Sequence, residues 1–508
     1  MLFNSYEFLF LFLPIAVLVY QGLASLGNRR VALSWLVGAS LFFYGWWNPV
    51  YLGLIIGSML FNYSVGILLM SNRIKLILVL GVAINLALLG YYKYANFFVD
   101  NMVLLIGADW NLGHIVLPLA ISFFTFQQIT YLVDTYRGET KEYSFLQYAL
   151  FVTFFPQLIA GPIVHHKEMI PQFASPERQR INFQMMAVGL SIFFCGLFKK
   201  VVIADSLSPY ANEAFSIVQS GDLLTFFEAW RGTLAYSFQL YFDFSGYSDM
   251  AIGLAGLFCI RLPINFNSPY QAYSIIEFWQ RWHITLSRFL RDYLYIALGG
   301  NRKGTLRRYA NLMATMLLGG LWHGAGWSFI IWGGLHGFYL IINHGWRTIN
   351  KTFSLLNDSR AAVRFVSRLL TFFVIVVGWV FFRASDLPSA MLMIDSLLGA
   401  GGVVWPEQER AQLGIFAGIF SSWGLEFAYI DQFNGFENMF GMLILLMIVW
   451  YAPNVQKIMS QYPLALSEPL AGRIKWQPNW RWGMWIGLLA IISILKLGAV
   501  SEFLYFQF

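Results

Sequence analysis

Long apolar runs separated by short polar joints recur along the whole chain. One begins near the start as FLFLFLPIAVLVYQGLA, and another extends from Leu369 to Phe382 as LLTFFVIVVGWVFF. A helix needs roughly 20 apolar residues to cross the hydrocarbon of a bilayer, so these runs predict membrane helices. We predict an all-α polytopic membrane protein with about eleven to thirteen membrane helices or re-entrant segments, in one domain over residues 1–508.

The polar joints carry most of the basic residues, which tend to lie on the cytoplasmic side of membrane proteins. We therefore attribute the net charge of +7 to the orientation of the protein in the membrane. No basic stripe indicates nucleic-acid binding. Because no small-residue cleavage site follows it, the first apolar run is not expected to be a removable signal peptide. The basic joints are Arg29 and Arg30, Arg73 and Lys75, Lys167, Arg178 and Arg180, Lys199 and Lys200, and Arg302, Lys303, Arg307 and Arg308.

The composition excludes an ordinary soluble globule. The chain is 58% hydrophobic and 12% charged, whereas soluble domains carry about 25% charged residues. Cys195 and Cys259 both lie in apolar surroundings without metal or disulfide spacing, so we expect them only to pack. We expect neither a metal site nor a bound cofactor. His165 and His166 stand beside Lys167, and we expect that pair to lie in a solvated joint.

Three stretches of the middle third interrupt the apolar pattern with polar groups. In the first, LYFDFSGYSDMAIG, Asp243 and Asp249 lie with two serines among apolar residues. A charged side chain at the bilayer centre costs about 2.5–3.5 kcal/mol by insertion scales, so such groups are paired or line a cavity. One interpretation is a buried hydrogen-bond network between helices, and the other is a direct role in catalysis or in a substrate tunnel. Gly246 and Gly253 would allow close packing or a helix break.

The second stretch contains IIEFWQRWHITLSRFLRDYLY. If it is helical throughout, His283, Ser287 and Arg291 lie on one face at i, i+4 and i+8. Such a polar stripe should border water or a protein-lined cavity, because lipid cannot solvate it. Glu277 and Arg281 have the spacing of an i, i+4 ion pair.

The third stretch, Asn311 to Gly337, holds His323 as its only ionisable residue before His336. Glycines flank His323 on both sides and would let a backbone or a thin substrate approach the imidazole. A neutral imidazole can accept a proton from a hydroxyl, an effect of roughly 10²–10⁴-fold in rate. We predict that His323 is a catalytic base, with Trp322 and Asn311 beside the substrate. The alternative is a buried histidine satisfied by a neighbouring helix.

The WHG sequence at His323, with the His of RWHITLSRFLRDYLY forty residues earlier, resembles the membrane-bound O-acyltransferase family. The resemblance covers about the first 345 residues. It implies a many-helix fold around a funnel or tunnel, with His323 catalytic and His283 a second functional residue. It extends through YYKYANF, LPLAISFFTFQQITYLVDTYRG, FFPQLIAGPI, QLYFDFSGYSDMAIGL, LGGNR and IIWGGLHG.

The resemblance also implies a function. In the bacterial polysaccharide branch of the family, the membrane protein takes an acyl group from a cytoplasmic donor and passes it to an extracytoplasmic partner. We therefore expect acetyl transfer from acetyl-CoA across the cytoplasmic membrane, an SGNH or esterase-like partner transferase, and acetylation of alginate or another glycan. Two alternatives remain within the family, namely D-alanyl transfer and peptidoglycan acylation. A transporter or channel with a histidine-lined path is the alternative from another class.

The sequence ends in SEFLYFQF, an aromatic peptide that follows the predicted span Trp482–Val500. We predict that Tyr505 carries the acetyl group as a covalent relay, while the phenylalanines anchor the peptide in a tunnel mouth. A phenol with a pKa of about 10 needs a neighbouring base, which His323 would supply. The resemblance supports this, because the related D-alanylation system uses a tyrosine-bearing C-terminal peptide. The alternatives are an interfacial aromatic belt and a purification-tag remnant.

Overall fold

The computed structural model describes residues 1–107, 109–113, 115–140, 143–175, 182–356, 360–430, 433–462, 464–466, 472–498 and 504. In these ranges the fold is helical throughout, apart from two strands of three residues each, β1 (Val404–Pro406) and β2 (Glu426–Ala428). The strands pair in parallel, with Val404 opposite Glu426. The all-α class predicted from the apolar runs is confirmed.

The helices follow one another with short connections. Four turns are π-helical, namely Phe8–Phe12, Gly90–Tyr94, Lys199–Ala204 and Leu290–Tyr295, and two are 3-10, Pro269–Gln271 and Glu407–Glu409. The α-helices are α1 (Leu13–Ser25), α2 (Arg29–Gly45), α3 (Val50–Asn72), α4 (Lys75–Leu89), α5 (Ala95–Ile106), α6 (Ile121–Tyr136), α7 (Phe145–Thr153), α8 (Phe155–Leu158), α9 (His166–Ala174), α10 (Phe183–Phe198), α11 (Asp205–Gln219), α12 (Phe226–Leu257), α13 (Ile275–Arg281), α14 (Ile284–Phe289), α15 (Gly304–His323), α16 (Trp327–Phe353), α17 (Ala361–Arg383), α18 (Leu387–Leu397), α19 (Arg410–Leu413), α20 (Ile415–Ser422), α21 (Gly435–Tyr451), α22 (Val455–Ile458) and α23 (Trp480–Leu495).

Five helical segments of the described chain are long and apolar enough to cross a membrane. Three shorter apolar helices, α18, α21 and α23, add to them. The protein is therefore a multi-pass membrane protein, while the count of eleven to thirteen membrane segments stays a prediction. The five segments are Phe8–Ser25, Val50–Asn72, Lys75–Ile106, Phe183–Gln219 and Ala361–Arg383.

Helix α12, 32 residues long, is the centre of the fold. Its second half, from Tyr247 to Leu257, packs in an apolar core formed with the N-terminal helices. Its first half, from Ala229 to Phe244, packs in a second core that also contains residues of α16 and α17. Because one helix belongs to both cores, the contacts support a single integral membrane domain, which remains our proposal.

Small residues let α10 and α12 approach closely. A methyl group added at Gly253 would lie 2.5 Å from the carbonyl oxygen of Gly189. One added at Gly196 would lie 2.5 Å from the carbonyl oxygen of Gly246. Such glycine contacts are typical of close helix packing in membranes. Gly246 and Gly253 were predicted either to allow close packing or to break the helix. Close packing is what the structure shows, because α12 continues without a break through both glycines.

Lys199 and Lys200 do not lie in a polar joint between helices, so that prediction is wrong, while the side of the membrane on which they lie stays a prediction. They occupy the π-helical turn between α10 and α11, where the Lys199 ammonium lies 2.6 Å from Asp249 and the Lys200 ammonium 2.7 Å from Asp243. Lys200 also lies 2.6 Å from Asp205. The carboxylates compensate the lysines, which allows both signs of charge to be buried. The interpretation of Asp243 and Asp249 as a buried network between helices is confirmed.

His166 is also buried, which contradicts the expected solvated joint. Its Nε2 lies 3.1 Å from Asp134 Oδ2, and Lys167 Nζ lies 3.2 Å from the same oxygen. Tyr293 donates its hydroxyl to Asp134 Oδ1 at 3.0 Å and lies 3.3 Å from His165 Nδ1. The segment after Pro162 is therefore folded into the protein around one buried carboxylate, which its basic sequence does not reveal.

Candidate functional site

The hairpin of α15 and α16 positions His323. Helix α15 ends at His323, the backbone is extended at Gly324 and Gly326, and α16 begins one residue later. A side chain at Gly320 would collide with the backbone of α16 at Phe329. Glycine is therefore required there for the two helices to lie in contact, and this contact fixes the imidazole at the helix end.

Aromatic rings surround the His323 imidazole, which is only 8% exposed. Its ring centroid lies 4.9 Å from that of Trp322, 5.2 Å from that of Trp332 and 5.2 Å from that of Phe382. Trp332 comes from α16 and Phe382 from α17, so three helices converge on the imidazole. Apolar walls of this kind exclude water and strengthen the electrostatic interactions of a reacting group.

A buried cation lies at the same helix end. Lys93 donates from Nζ to the main-chain carbonyls of Trp322, at 2.5 Å, and of His323, at 3.0 Å. Tyr94 donates its hydroxyl to the Leu321 carbonyl at 2.9 Å. The last carbonyls of a helix have no partner within the helix and attract cations. The π-helical turn after α4 therefore caps α15 and places the Lys93 side chain at the end of the helix that carries His323.

His323 lines a cavity of about 110 Å³. Lys93 and Trp322 form part of its wall, and Ser122 of α6 and Trp47 of the turn between α2 and α3 also line it. A water molecule needs roughly 10–15 Å³ of such volume, so the cavity has room for several waters or for an acetyl group. The cavity therefore combines an imidazole, an ammonium group and apolar walls in one space.

His283 lies at a break between two helices, not within one. Helix α13 ends at Arg281, and His283 has left-handed backbone angles of φ 41° and ψ 53° before α14 begins. The single stripe predicted for His283, Ser287 and Arg291 is therefore wrong. The Arg291 side chain is 62% exposed and pairs with Asp292 at 2.6 Å, away from any shared face with His283. Left-handed angles are rare outside glycine and are found where surrounding contacts hold the residue.

Asn265 supplies the contacts that hold His283. Its Oδ1 lies 3.1 Å from His283 Nδ1 and accepts from the Thr285 hydroxyl at 2.9 Å and the Thr285 amide at 3.3 Å. Its own carbonyl accepts from the Ile284 amide at 2.9 Å. An oxygen that accepts from Thr285 also accepts from the imidazole, so Nδ1 carries the proton. This leaves the lone pair on Nε2, which is buried and has no hydrogen-bond partner among the described residues.

The two histidines belong to one cluster. Trp322 connects them, since its ring centroid lies 6.3 Å from that of His283 and 4.9 Å from that of His323. Phe244 of α12 packs on the other side of His283, with ring centroids 4.8 Å apart. The predicted proximity of His283, His323 and Trp322 is therefore found in the structure.

The other predicted site residues lie away from the cavity. The Ser287 hydroxyl donates to the Trp282 carbonyl at 3.4 Å. Asn311 donates to the Gly300 carbonyl at 2.9 Å, near the opposite end of α15 from His323. The i, i+4 pair of Glu277 and Arg281 forms as predicted, at 2.7 Å. Asn311 and Ser287 therefore have local structural contacts.

Sequence reasoning missed Lys93 and His336. His336 is fully buried, its ring 4.8 Å from that of Trp332 and 5.3 Å from that of Trp279. Neither of its nitrogens has a hydrogen-bond partner among the described residues, and it is in electrostatic contact with His323. A signal was available, because His336 follows Trp332 at the i, i+4 spacing of one helix face. A signal was available for Lys93 too, because it is the only charged residue between Lys75 and Asp100 in a run apolar enough to cross the membrane.

Tyr505 lies outside the described residues, but Leu504 is described. Leu504 is 1% exposed and belongs to the core that contains Trp332 and Phe382, both neighbours of His323. Its backbone hydrogen-bonds to the Asp243 carboxyl group of α12. Asp243 directly precedes Phe244, the residue that packs on His283. Leu504 itself therefore lies in the interior of the protein, next to the part of α12 that packs on His283.

Fold and site together define a class of protein, a multi-pass membrane enzyme with imidazole groups buried around a small internal cavity. The family model of the membrane-bound O-acyltransferases matches residues 136–382. The chain belongs to this family and is an O-acyltransferase, as its sequence motifs predicted.

The chain is similar to several named relatives. It is 48% identical over 433 residues to the peptidoglycan O-acetyltransferase of Helicobacter pylori, which covers 79% of this chain and 81% of that one. It is 39% identical to the probable alginate O-acetylase AlgI of Pseudomonas aeruginosa over 100% of both chains. It is 32% identical over 252 residues to the teichoic acid D-alanyltransferase of Streptococcus thermophilus, over 46% of this chain and 59% of that one.

Proposed function

We propose that this enzyme transfers an acetyl group from acetyl-CoA, its cytoplasmic donor, across the bacterial inner membrane for O-acetylation of a cell-surface polysaccharide. The observation that carries the proposal is the cavity lined by both His323 and Lys93, with His283 packed behind its Trp322 wall at 6.3 Å between ring centroids. These are a base and a cation in a water-poor space, the two groups that acyl transfer to a hydroxyl requires.

His323 is the general base of the proposed reaction. Its imidazole takes the proton of the acceptor hydroxyl while that oxygen attacks the carbonyl carbon of the acetyl thioester. The tetrahedral intermediate then collapses, the carbon–sulfur bond breaks, and the same proton passes to the leaving thiolate to give the free thiol. Lys93 stabilises the negative charge on the carbonyl oxygen, because a fixed positive charge in an apolar cavity acts strongly on a developing oxyanion.

His283 supports this step as a second polar group of the cavity. With Nδ1 oriented by Asn265, its Nε2 lone pair can accept a hydrogen bond from the acceptor hydroxyl or from a bound water. A histidine held in a single tautomer by its other nitrogen loses no energy to reorientation during the reaction. Trp322 forms the wall between the two imidazoles and positions the acetyl group.

The hydroxyl of Tyr505 accepts the acetyl group within the membrane protein. Acetylation of its phenol gives an aryl ester, which an extracytoplasmic partner of the SGNH or esterase-like kind takes over by attack of its own hydroxyl. That second transfer releases the Tyr505 phenol and carries acetyl to the polymer. The burial of Leu504 beside Asp243 supports this role, since Tyr505 is the next residue in the chain.

The acceptor polymer is a cell-surface glycan such as alginate. The probable alginate O-acetylase similar to this chain over its whole length favours this acceptor. A second candidate is peptidoglycan, which is favoured by the 48% identity to the Helicobacter pylori enzyme. Assays with alginate and with peptidoglycan as the final acceptor distinguish the two.

The proposal is tested with the purified full chain in proteoliposomes and acetyl-CoA labelled in the acetyl group. We expect label to become covalently bound to the protein, and to be lost in His323→Ala, which should still insert and bind the donor. Label from a D-alanyl carrier protein instead of acetyl-CoA would support the D-alanyl alternative. If wild-type protein moves labelled donor across the membrane and never becomes covalently labelled, the result would support a transporter and contradict the proposed acetyl transfer.

A further inference from the structure

A second cavity lies far along α16 from the histidines, between α13, α16 and α17. It measures about 460 Å³, and its wall includes Arg347 and Lys351 from α16 and Arg364 from α17. We call it the basic groove. Trp332, which packs on His323, precedes Arg347 by fifteen residues of the same helix, or roughly 22 Å along its axis. The basic groove is therefore separate from the catalytic cavity.

The charge of the basic groove is unbalanced. Arg347 donates to the Ser274 hydroxyl at 3.2 Å, and no described carboxylate pairs with Arg347, Lys351 or Arg364. One carboxylate, that of Glu277, lines the groove, but Arg281 already neutralises it at 2.7 Å. Three cations therefore face a common space, which favours an anionic ligand.

A buried acceptor in the same wall points to the rest of the ligand. Asn343 lines the basic groove, and its Oδ1 is buried without a hydrogen-bond partner among the described residues. A buried amide oxygen left unpaired costs free energy that a ligand hydroxyl or amine would recover. The ligand should thus combine a phosphate or similar anion with a hydrogen-bond donor close by.

The surroundings of the basic groove are those of a membrane surface. Arg308 lies 2.8 Å from His344, which brings the basic joint before α15 next to this end of α16. Basic joints tend to lie on the cytoplasmic side, so we assign the groove to the cytoplasmic leaflet. At the edge of the groove, α17 exposes the apolar side chains of Leu370, which also lines the groove, and Val366, at 60% each. A headgroup in the groove would place its acyl chains along that face.

From these observations we propose that the basic groove binds a phosphodiester headgroup with a hydroxyl beside it, the chemistry of an anionic glycerophospholipid. Arg347, Lys351 and Arg364 contact the phosphate, and Asn343 Oδ1 accepts from the headgroup hydroxyl. A soluble phosphate compound offers the same phosphate chemistry and is the second source that the test distinguishes. This proposal is independent of the proposed function.

The test is native mass spectrometry of the full chain released from nanodiscs that contain phosphatidylcholine with or without phosphatidylglycerol. We expect wild-type protein to retain phosphatidylglycerol, and Arg347→Gln/Arg364→Gln to bind it about 30-fold more weakly, since each basic residue at a membrane surface contributes a factor of about five. The matched control is Arg473→Gln/Lys475→Gln, which removes two exposed charges outside the groove and should retain wild-type affinity.

A second variant keeps the proposal testable if the double variant does not fold. Asn343→Leu should bind phosphatidylglycerol and phosphatidylmethanol equally well. Wild-type protein should prefer phosphatidylglycerol, because of these two lipids only phosphatidylglycerol has hydroxyl groups in its headgroup.

Titration with inorganic phosphate and with coenzyme A, in phosphatidylcholine nanodiscs, tests whether the groove binds a soluble phosphate compound instead. Binding there that depends on Arg347 and Arg364 would assign the groove to a soluble phosphate. Equal lipid binding by the groove variant and the control, or no binding of any probe by wild type, would overturn the proposal.

Discussion

The Lys93 ammonium donates a 3.0 Å hydrogen bond to the main-chain carbonyl of His323. The lysine thus closes the end of the helix that carries the proposed base, and it also lines the cavity into which that base faces. A cation held by two helix-terminal carbonyls has a fixed position. Fixed charge is what distinguishes a preorganised catalytic cavity from a solvent-filled one, in which dipoles must reorient during the reaction.

Lys93→Met should lower the rate of acetyl transfer by about 10²–10³-fold, the loss typical of removing one group that stabilises an oxyanion. The measurement is single-turnover labelling with saturating acetyl-CoA. Tyr94→Phe is the matched control, because it removes the neighbouring bond to the Leu321 carbonyl without removing charge. A similar loss in both variants would mean that Lys93 only caps the helix.

His283→Gln should lower the transfer rate by roughly 10²-fold or more, because glutamine can keep a bond to Asn265 but offers no basic nitrogen. The thermal stability of the variant should stay near that of wild type, since the bond to Asn265 is retained. His344→Gln, which changes a histidine near the other end of α16, should transfer acetyl at the wild-type rate. An active His283→Gln enzyme would reduce His283 to a structural residue.

Lys199→Met should destabilise the protein by about 3–5 kcal/mol, because it leaves the Asp249 carboxylate buried without its cation. The double variant Lys199→Met/Asp249→Asn should recover much of that loss, since no unpaired charge remains. Thermal unfolding in detergent measures both. Arg410→Gln is the control, as its exposed pair with Glu407 should contribute at most about 1 kcal/mol. Equal stability of Lys199→Met and wild type would show that this pair is not what holds α10 and α12 together.

The apolar runs of the sequence predict the membrane class, and the family resemblance of the two histidine motifs predicts that His323 and His283 belong to one site. The sequence does not predict the helix break at His283. Nothing in RWHITL stops a helix, and the left-handed backbone there is held by Asn265, eighteen residues earlier. Contacts of this kind between distant segments are absent from any local pattern.

The same limit explains the misassigned charges. A run such as Lys199–Lys200 has the local pattern of a cytoplasmic joint, and only the packing of α12 against α10 brings Asp243 and Asp249 to it. Lys93 is similar, because its partners are carbonyls more than two hundred residues away. Local periodicity therefore predicts the helices, whereas the burial of charge depends on which helices become neighbours.

Tyr505→Phe should abolish covalent acetyl labelling of the protein and acetylation of the polymer, because it removes one phenolic oxygen and leaves the aromatic ring. Mass spectrometry of the peptide that contains residue 505, after incubation with acetyl-CoA, should find one added acetyl group in wild type and none in His323→Ala. Leu504→Asp should also lose the label, since a carboxylate at that buried position beside Asp243 would be repelled and unsolvated.

Leu504→Met is the control for that position, because methionine fills a similar volume without charge and should retain labelling. Two outcomes would contradict the relay. If Tyr505→Phe acetylates polymer as well as wild type, the aromatic segment only anchors the chain. If instead the label is found on another residue and persists in Tyr505→Phe, the acetyl group passes to a different nucleophile with His323 as the base, and Leu504 serves only to close the core around α12.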